Sequence, residues 1–209
     1  MTPATWYFDY VSPYAYLQSR ALHRFAGKAD IAMKPVLFAG LLNHWKTVGP
    51  AETAPKRVWT YRFTTWYARA HGIPFRFPPR HPFNPLRPLR LALACGTPEA
   101  VHAIFAYIWA EGRDPGDPAE WKTLGAELGV ADPDAATDQP AVKDALRANT
   151  ETAIAAGVFG VPSFVIGGEV FWGVDATDFA LQYLDNPALL RDPEFQRVAH
   201  LPAAAERKR

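Results

Sequence analysis

The sequence predicts an α/β fold in which a β-α-β opening and a β-β-α ending enclose a long all-helical block. Three observations carry that prediction. An aromatic, strand-like run near the start breaks at Ser12-Pro13 into helical spacing. Residues from about 38 to 156 lack strand alternation, and two short apolar runs joined by Gly167-Gly168 follow them.

Residues 3–9, bounded by Pro3 and Ser12, are rich in aromatic side chains and read as a strand. From Pro13, residues Tyr14, Leu17, Ala21 and Phe25 recur at helical intervals until Gly27 stops them. Residues 31–36 form a second short strand, and Pro35 places it near a sheet edge or ends it early. A strand, a helix and a strand in this order imply the crossover of a parallel pair. Helical patterns follow near 55–71, 86–95, 98–111, 117–129 and 138–156. Between the first two lies a segment with prolines at 74, 78, 79, 82, 85 and 88, which forbids helix or ladder and implies a fixed extended loop. That loop is either a rigid connector or one wall of a cleft. Gly157 reads as a helix C-cap, and residues 163–166 and 169–172 form a hairpin across Gly167-Gly168. Asp175 then caps a last helix to about Leu184, with Phe179 and Tyr183 four apart on one face.

The chain has 209 residues, 49% of them hydrophobic and 21% charged, enough for a substantial core. A formal net charge of +1 gives no field favouring nucleic acid or an anionic membrane. No apolar run approaches the ~20 residues of a spanning helix, and no basic, then apolar leader precedes the first strand. The expectation is a soluble, cytoplasmic protein. The lone Cys95 excludes an internal disulfide and reads as a small buried helical residue. The six histidines are scattered, so no metal site is expected. No nucleophile elbow surrounds Ser12, Ser19 or Ser163, and no phosphate-binding glycine loop occurs. The tail "AAAERKR" reads as a solvated end.

The element order, with Val161-Pro162 just before the hairpin, resembles the thioredoxin fold, in which that proline is cis and faces the first helix. Where thioredoxin-like oxidoreductases carry Cys-x-x-Cys, this chain has Ser12-Pro13-Tyr14-Ala15, so dithiol exchange at that place is excluded. The opening "FDYVSPYAYL", the helical insertion and "GVFGVPSFVIGGEVFWGVD" together resemble the 2-hydroxychromene-2-carboxylate isomerases and their relatives, the kappa-class glutathione transferases, over roughly residues 4–185. The resemblance implies a DsbA-like division: a thioredoxin-like domain of 1–37 and 157–185, a helical insertion of 38–156, and a C-terminal extension of 186–209.

It also implies glutathione as cofactor. Ser12 matches the serine that hydrogen-bonds the glutathione sulfur, and Asn43 and Lys56 match polar contacts from the insertion. Val161, before Pro162, matches the residue whose backbone pairs with the cysteinyl unit. Asp175 matches an acid facing the γ-glutamyl end. The family commonly has Asp-Arg there, whereas Ala176 follows Asp175 in this chain. Thr64-Thr65 stand near a position often acidic, and Tyr61 is retained.

Each residue also has a plain structural reading. Ser12-Pro13 makes a good N-cap with proline at N1, Lys56 a solvated helix lysine, and Asn43 and Asp175 helix caps. Trp45, Phe83, Trp172 and the aromatics around Tyr61 read mostly as core, with one or two available to line an aromatic substrate site. Asn84 and Arg87 face solvent or a substrate carboxylate. The implied activity is glutathione-dependent isomerisation of an aryl-pyruvate in aromatic-compound catabolism by a homodimer. The alternatives are a kappa-like glutathione transferase and a catalytically silent thioredoxin-like binding module.

Overall fold

The computed structural model describes residues 1–205, so residues 206–209 of the expected solvated tail lie outside the described residues. Four strands form one sheet in the order β2-β1-β3-β4. They are β1 (Thr2–Phe8), β2 (Ala29–Pro35), β3 (Ser163–Ile166) and β4 (Glu169–Trp172). β1 runs parallel to β2 and antiparallel to β3, with Tyr7 opposite both Lys34 and Ser163. β2 is an edge strand and Pro35 is its last residue, where a missing N–H costs no ladder bond. Gly167 and Gly168 close the β3-β4 hairpin with φ of +59° and +88°, the two left-handed residues a type I′ turn needs.

Side chains of β1 alternate between two cores. Ala4, Trp6 and Phe8 enter the larger cluster, where the two rings pack at tilted angles against Phe105 and Phe164, while Tyr7 enters a smaller one with Val36, Leu41, Ala153, Val158 and Val161. The larger cluster holds one buried polar link across three elements. Trp6 Nε1 donates to Gln18 Oε1 at 2.8 Å, and Gln18 Nε2 donates to Gly173 O at 2.8 Å and Thr177 Oγ1 at 3.1 Å.

Ten helices surround the sheet among the described residues. α1 (Pro13–Ser19) is shorter than the spacing through Phe25 implied. Ser19 Oγ donates to Tyr16 O at 2.6 Å, the next amides bond three residues back, and the chain tightens into a 3-10 turn at Leu22–Phe25. α2 (Phe38–Trp45) carries no cap of its own. Its first amides are satisfied at long range, Leu37 N by Thr150 Oγ1 at 3.0 Å and Phe38 N by Asp9 Oδ2 at 2.9 Å.

α3 (Ala54–Ala70), α4 (Leu86–Cys95), α5 (Pro98–Phe105) and α6 (Pro118–Glu127) match the expected patterns closely. α5 continues as a π turn over Ala106–Ala110. α8 (Pro140–Ala155) matches the pattern expected over 138–156, and a short helix that the spacing did not show, α7 (Pro133–Asp138), precedes it, separated because Pro140 holds Gln139 out of helical geometry at ψ 132°. α8 ends in a Schellman motif: Gly157, φ +79°, donates to Ile154 O, and Val158 N to Ala153 O.

α9 (Thr177–Asp185) and α10 (Pro193–Ala199) close the chain. Asp175 does not cap α9. It lies inside a 3-10 turn, Val174–Ala176, and Ala176 occupies the N-cap without a side-chain bond. No helix among the described residues is long and apolar enough to cross a membrane.

Candidate functional site

Ser12 sits where β1 hands over to α1. It is the N-cap, with φ −91° and ψ 114°, and its Oγ accepts from Ala15 N at 3.2 Å while Pro13 fills N1. The plain structural role is therefore real. The same Oγ donates to Val161 O at 3.4 Å, a stretched bond, and the Val161-Pro162 peptide is cis. Residues 149 apart in sequence thus meet at one point, and Ser12, Val161 and Pro162 form a single locus.

Asp175 is exposed, and its charge helps raise the Tyr14 phenol, although burial is the larger cause. Tyr14 follows the Ser12-Pro13 pair, lies near enough to Thr60 of α3 for that hydroxyl to ease its phenol's rise, and has its ring 6.2 Å from Phe63. Lys56 is exposed in the first turn of α3, one turn (about 6 Å along the axis) before Thr60. Asn43 is exposed on α2 and takes no part in the Ser12–Val161 contact. Asn84 and Arg87 are engaged elsewhere: Asn84 Oδ1 accepts from Leu86 N at 3.0 Å, and Arg87 pairs with Asp134 at 2.8 Å over the Trp121 ring. Trp45 and Trp172 are corrections to the expected core, being 40% and 53% exposed, whereas Phe83 does pack against it.

Several residues that the sequence reading left without a role hold the Ser12 loop. Asp9 is fully buried, and its two oxygens accept from Val11 N and Phe38 N at 2.9 Å each. Burial pushes its carboxyl up to about 7 against the pull of those two amides. Its position three residues before Ser12 was visible in the quoted opening, but its partner Phe38 was not. Trp109 Nε1 donates to Tyr10 O at 2.8 Å, and the His81 ring lies 2.8 Å from Val11 O. The proline-rich segment is thus a wall against the Ser12 loop, carrying His81 and Phe83. On its far side Tyr61 Oη contacts His81 Nδ1 at 2.7 Å.

Chemically, the locus offers one hydroxyl donor beside a backbone carbonyl and no thiol of its own. Cys95 is in α4, and burial raises its thiol, the opposite of an activated nucleophile. The two-turn α1 supplies a modest positive end, so the Ser12 hydroxyl is the main directed donor for an anion.

A family model described as the DSBA-like thioredoxin domain matches residues 5–185. Among characterised proteins, glutathione S-transferase kappa 2 of Caenorhabditis elegans is 32% identical over 173 residues, covering 75% of this chain and 77% of that protein. A 2-hydroxychromene-2-carboxylate isomerase of Sphingobium xenophagum is 30% identical over 189 residues, covering 85% and 95%. Among solved structures, a 2-hydroxychromene-2-carboxylate isomerase superposes with a TM-score of 0.77 at 24% identity, over 92% of this chain and 98% of that one. The chain belongs to the DsbA-like thioredoxin family, alongside the 2-hydroxychromene-2-carboxylate isomerases and kappa-class glutathione transferases.

Proposed function

We propose that the protein is a glutathione-dependent isomerase that converts 2-hydroxychromene-2-carboxylate, or a similar substrate, to the trans-o-hydroxybenzylidenepyruvate type of product in cytoplasmic aromatic-compound catabolism. The observation that carries the reading is the Ser12 hydroxyl, held at 3.4 Å from the carbonyl before a cis proline in a site without cysteine. The donor set fits a thiol tripeptide: a hydroxyl for the sulfur, the Val161 backbone for the cysteinyl unit, Lys56 and Asn43 for a carboxylate, and Asp175 for an ammonium group. Ala176 offers no guanidinium beside Asp175, so one carboxylate depends on Lys56 and its neighbour Arg57. The chemistry supplied by bound glutathione is reversible thiolate addition to an electron-poor double bond, which permits rotation before elimination regenerates the thiol.

Ser12 acts on the proton inventory of that thiol. Its O–H gives up a weak bond to Val161 O and donates to an anionic sulfur, and a charge-assisted bond is the stronger of the two. Stabilising the anion over the neutral thiol lowers the pKa from about 8.5. A kappa-like transferase is the second reading, favoured by the 32% identity to the kappa-class relative. A spectrophotometric isomerisation assay with and without glutathione separates the two, because a transferase consumes glutathione stoichiometrically and an isomerase does not. Ser12→Ala is expected to lose about 10- to 100-fold in turnover, the worth of one hydrogen bond to a charged group. Full activity in that variant would sink the role assigned to Ser12, and turnover indifferent to glutathione would sink the thiol mechanism. Absence of glutathione binding by calorimetry would favour the silent binding module.

A further inference from the structure

We propose that His81 is a positioning residue for Ser12, acting through the peptide plane that joins Val11 to Ser12; the role rests on the reading of Ser12 as the sulfur-facing hydroxyl. His81 Nε2 lies 2.8 Å from Val11 O. A carbonyl only accepts, so Nε2 must carry the proton. Nδ1 of the neutral ring is then an acceptor, and the Tyr61 hydroxyl at 2.7 Å supplies the donor. Tyr61 Oη also lies 2.8 Å from His81 O, so its one proton is shared between Nδ1 and that carbonyl in a three-centre bond, and α3 holds the ring and the backbone of this residue through a single hydroxyl. Burial and the Arg57 charge hold the imidazole below the ordinary histidine range, against the pull of the Val11 bond. Those two influences keep the ring neutral and its single N–H committed to Val11.

The opposite edge of the same peptide plane is also tied. Ser12 N donates to Asp9 O at 3.0 Å. The unit is planar, so one bond would leave it free to turn about that bond, whereas two at opposite edges fix its rotation. That orientation sets where the Ser12 Cα, and hence its Oγ, projects toward Val161 O. The ring cannot swing aside cheaply, because Phe77, Phe83 and Trp109 surround it with centroids at 5.7, 6.2 and 5.5 Å. No other side chain donates to Val11 O among the bonds of the described residues. His81 is therefore the insertion's direct grip on the residue next to Ser12.

The test combines a measurement on the unaltered protein with three variants. Nitrogen-15 NMR of the histidine side chains, with His81 assigned from the spectrum of His81→Gln, is expected to show the Nε2–H tautomer; an Nδ1–H tautomer would overturn the proposal. His81→Phe fills the ring's space and removes both bonds, and kcat/KM for glutathione is expected to fall by about 10- to 100-fold, the scale of a small misplacement. His81→Gln extends an amide N–H as far as Nε2 and is expected to recover most of that loss. His81→Asn reaches only as far as Nδ1 and is not. A space-filling role predicts instead that His81→Phe is the mildest change, so an unaltered His81→Phe, or equal activity in the Asn and Gln variants, overturns the assignment. Amide exchange at Ser12 is expected to quicken in His81→Phe, and unchanged exchange also counts against the proposal. If the wild type shows no glutathione-dependent turnover, the functional reading fails, while the tautomer and the Ser12 exchange still decide the role of His81.

Discussion

Ser12 shows how one side chain serves structure and chemistry from a single position. Its Oγ caps α1 through Ala15 N and contacts Val161 O, so Ser12→Ala is expected to cost about 1 kcal/mol of stability from the lost cap. Denaturant unfolding measures that cost separately from turnover, and a far larger stability loss would assign Ser12 a mainly structural role. Asp9 gives a second prediction at this scale. Its folded-state pKa of about 7 stands above the unfolded value of about 3.9, so the native state binds the extra proton between them. The stabilisation is complete below about pH 4 and is lost as pH rises through about 7. Unfolding midpoints of wild type relative to Asp9→Asn should therefore fall across that window. A wild-type-to-variant difference that stays flat with pH contradicts the burial of this carboxyl.

At the scale of elements, β1, α1 and the turn before α9 are joined by Gln18. Replacing it with leucine keeps the size of the side chain but leaves Trp6 Nε1 and Gly173 O without their buried partner. Each such group costs about 1–3 kcal/mol, so Gln18→Leu is expected to destabilise by roughly 3 kcal/mol, read by urea unfolding. A neutral effect would mean that water satisfies both groups. Most elements could be read from local sequence: the Gly-Gly hairpin, the Pro-broken loop, and helices begun by Thr97-Pro98 and Asp117-Pro118. α2 could not, because its caps come from Asp9 and Thr150, and capping from a distance leaves no local signal. The early end of α1 was hidden for a related reason: its apolar spacing continues through Phe25 while the backbone tightens to three-residue bonds.

At the scale of the whole molecule, one face of α3 is unusually apolar for a surface. Trp59 and Trp66 are each 59% exposed, and Trp59 stacks on Phe63 at 4.8 Å and 9°. Aromatic side chains are favoured at the centres of protein contacts. The homodimer that the family resemblance implies is expected to bury this face. Light scattering should find a dimer that dissociates in the Trp59→Arg, Trp66→Arg double variant; a wild-type monomer at micromolar concentration would remove that expectation.

The sequence by itself determined the strand–helix order, the loss of both thiols at Ser12-Pro13-Tyr14-Ala15, and the pairing of that tetrad with Val161-Pro162 as a family motif. Those are local or family-level features, carried by residue type and spacing. Only the tertiary structure decided that Asp175 lies in a turn rather than capping α9, that Trp45 and Trp172 face outward, and that Asp9, His81 and Trp109 grip the backbone of residues 10–12. The physical reason is that hydrogen bonds to backbone carbonyls and amides use groups every residue possesses. The sequence therefore marks the donor side chain but not the peptide it holds.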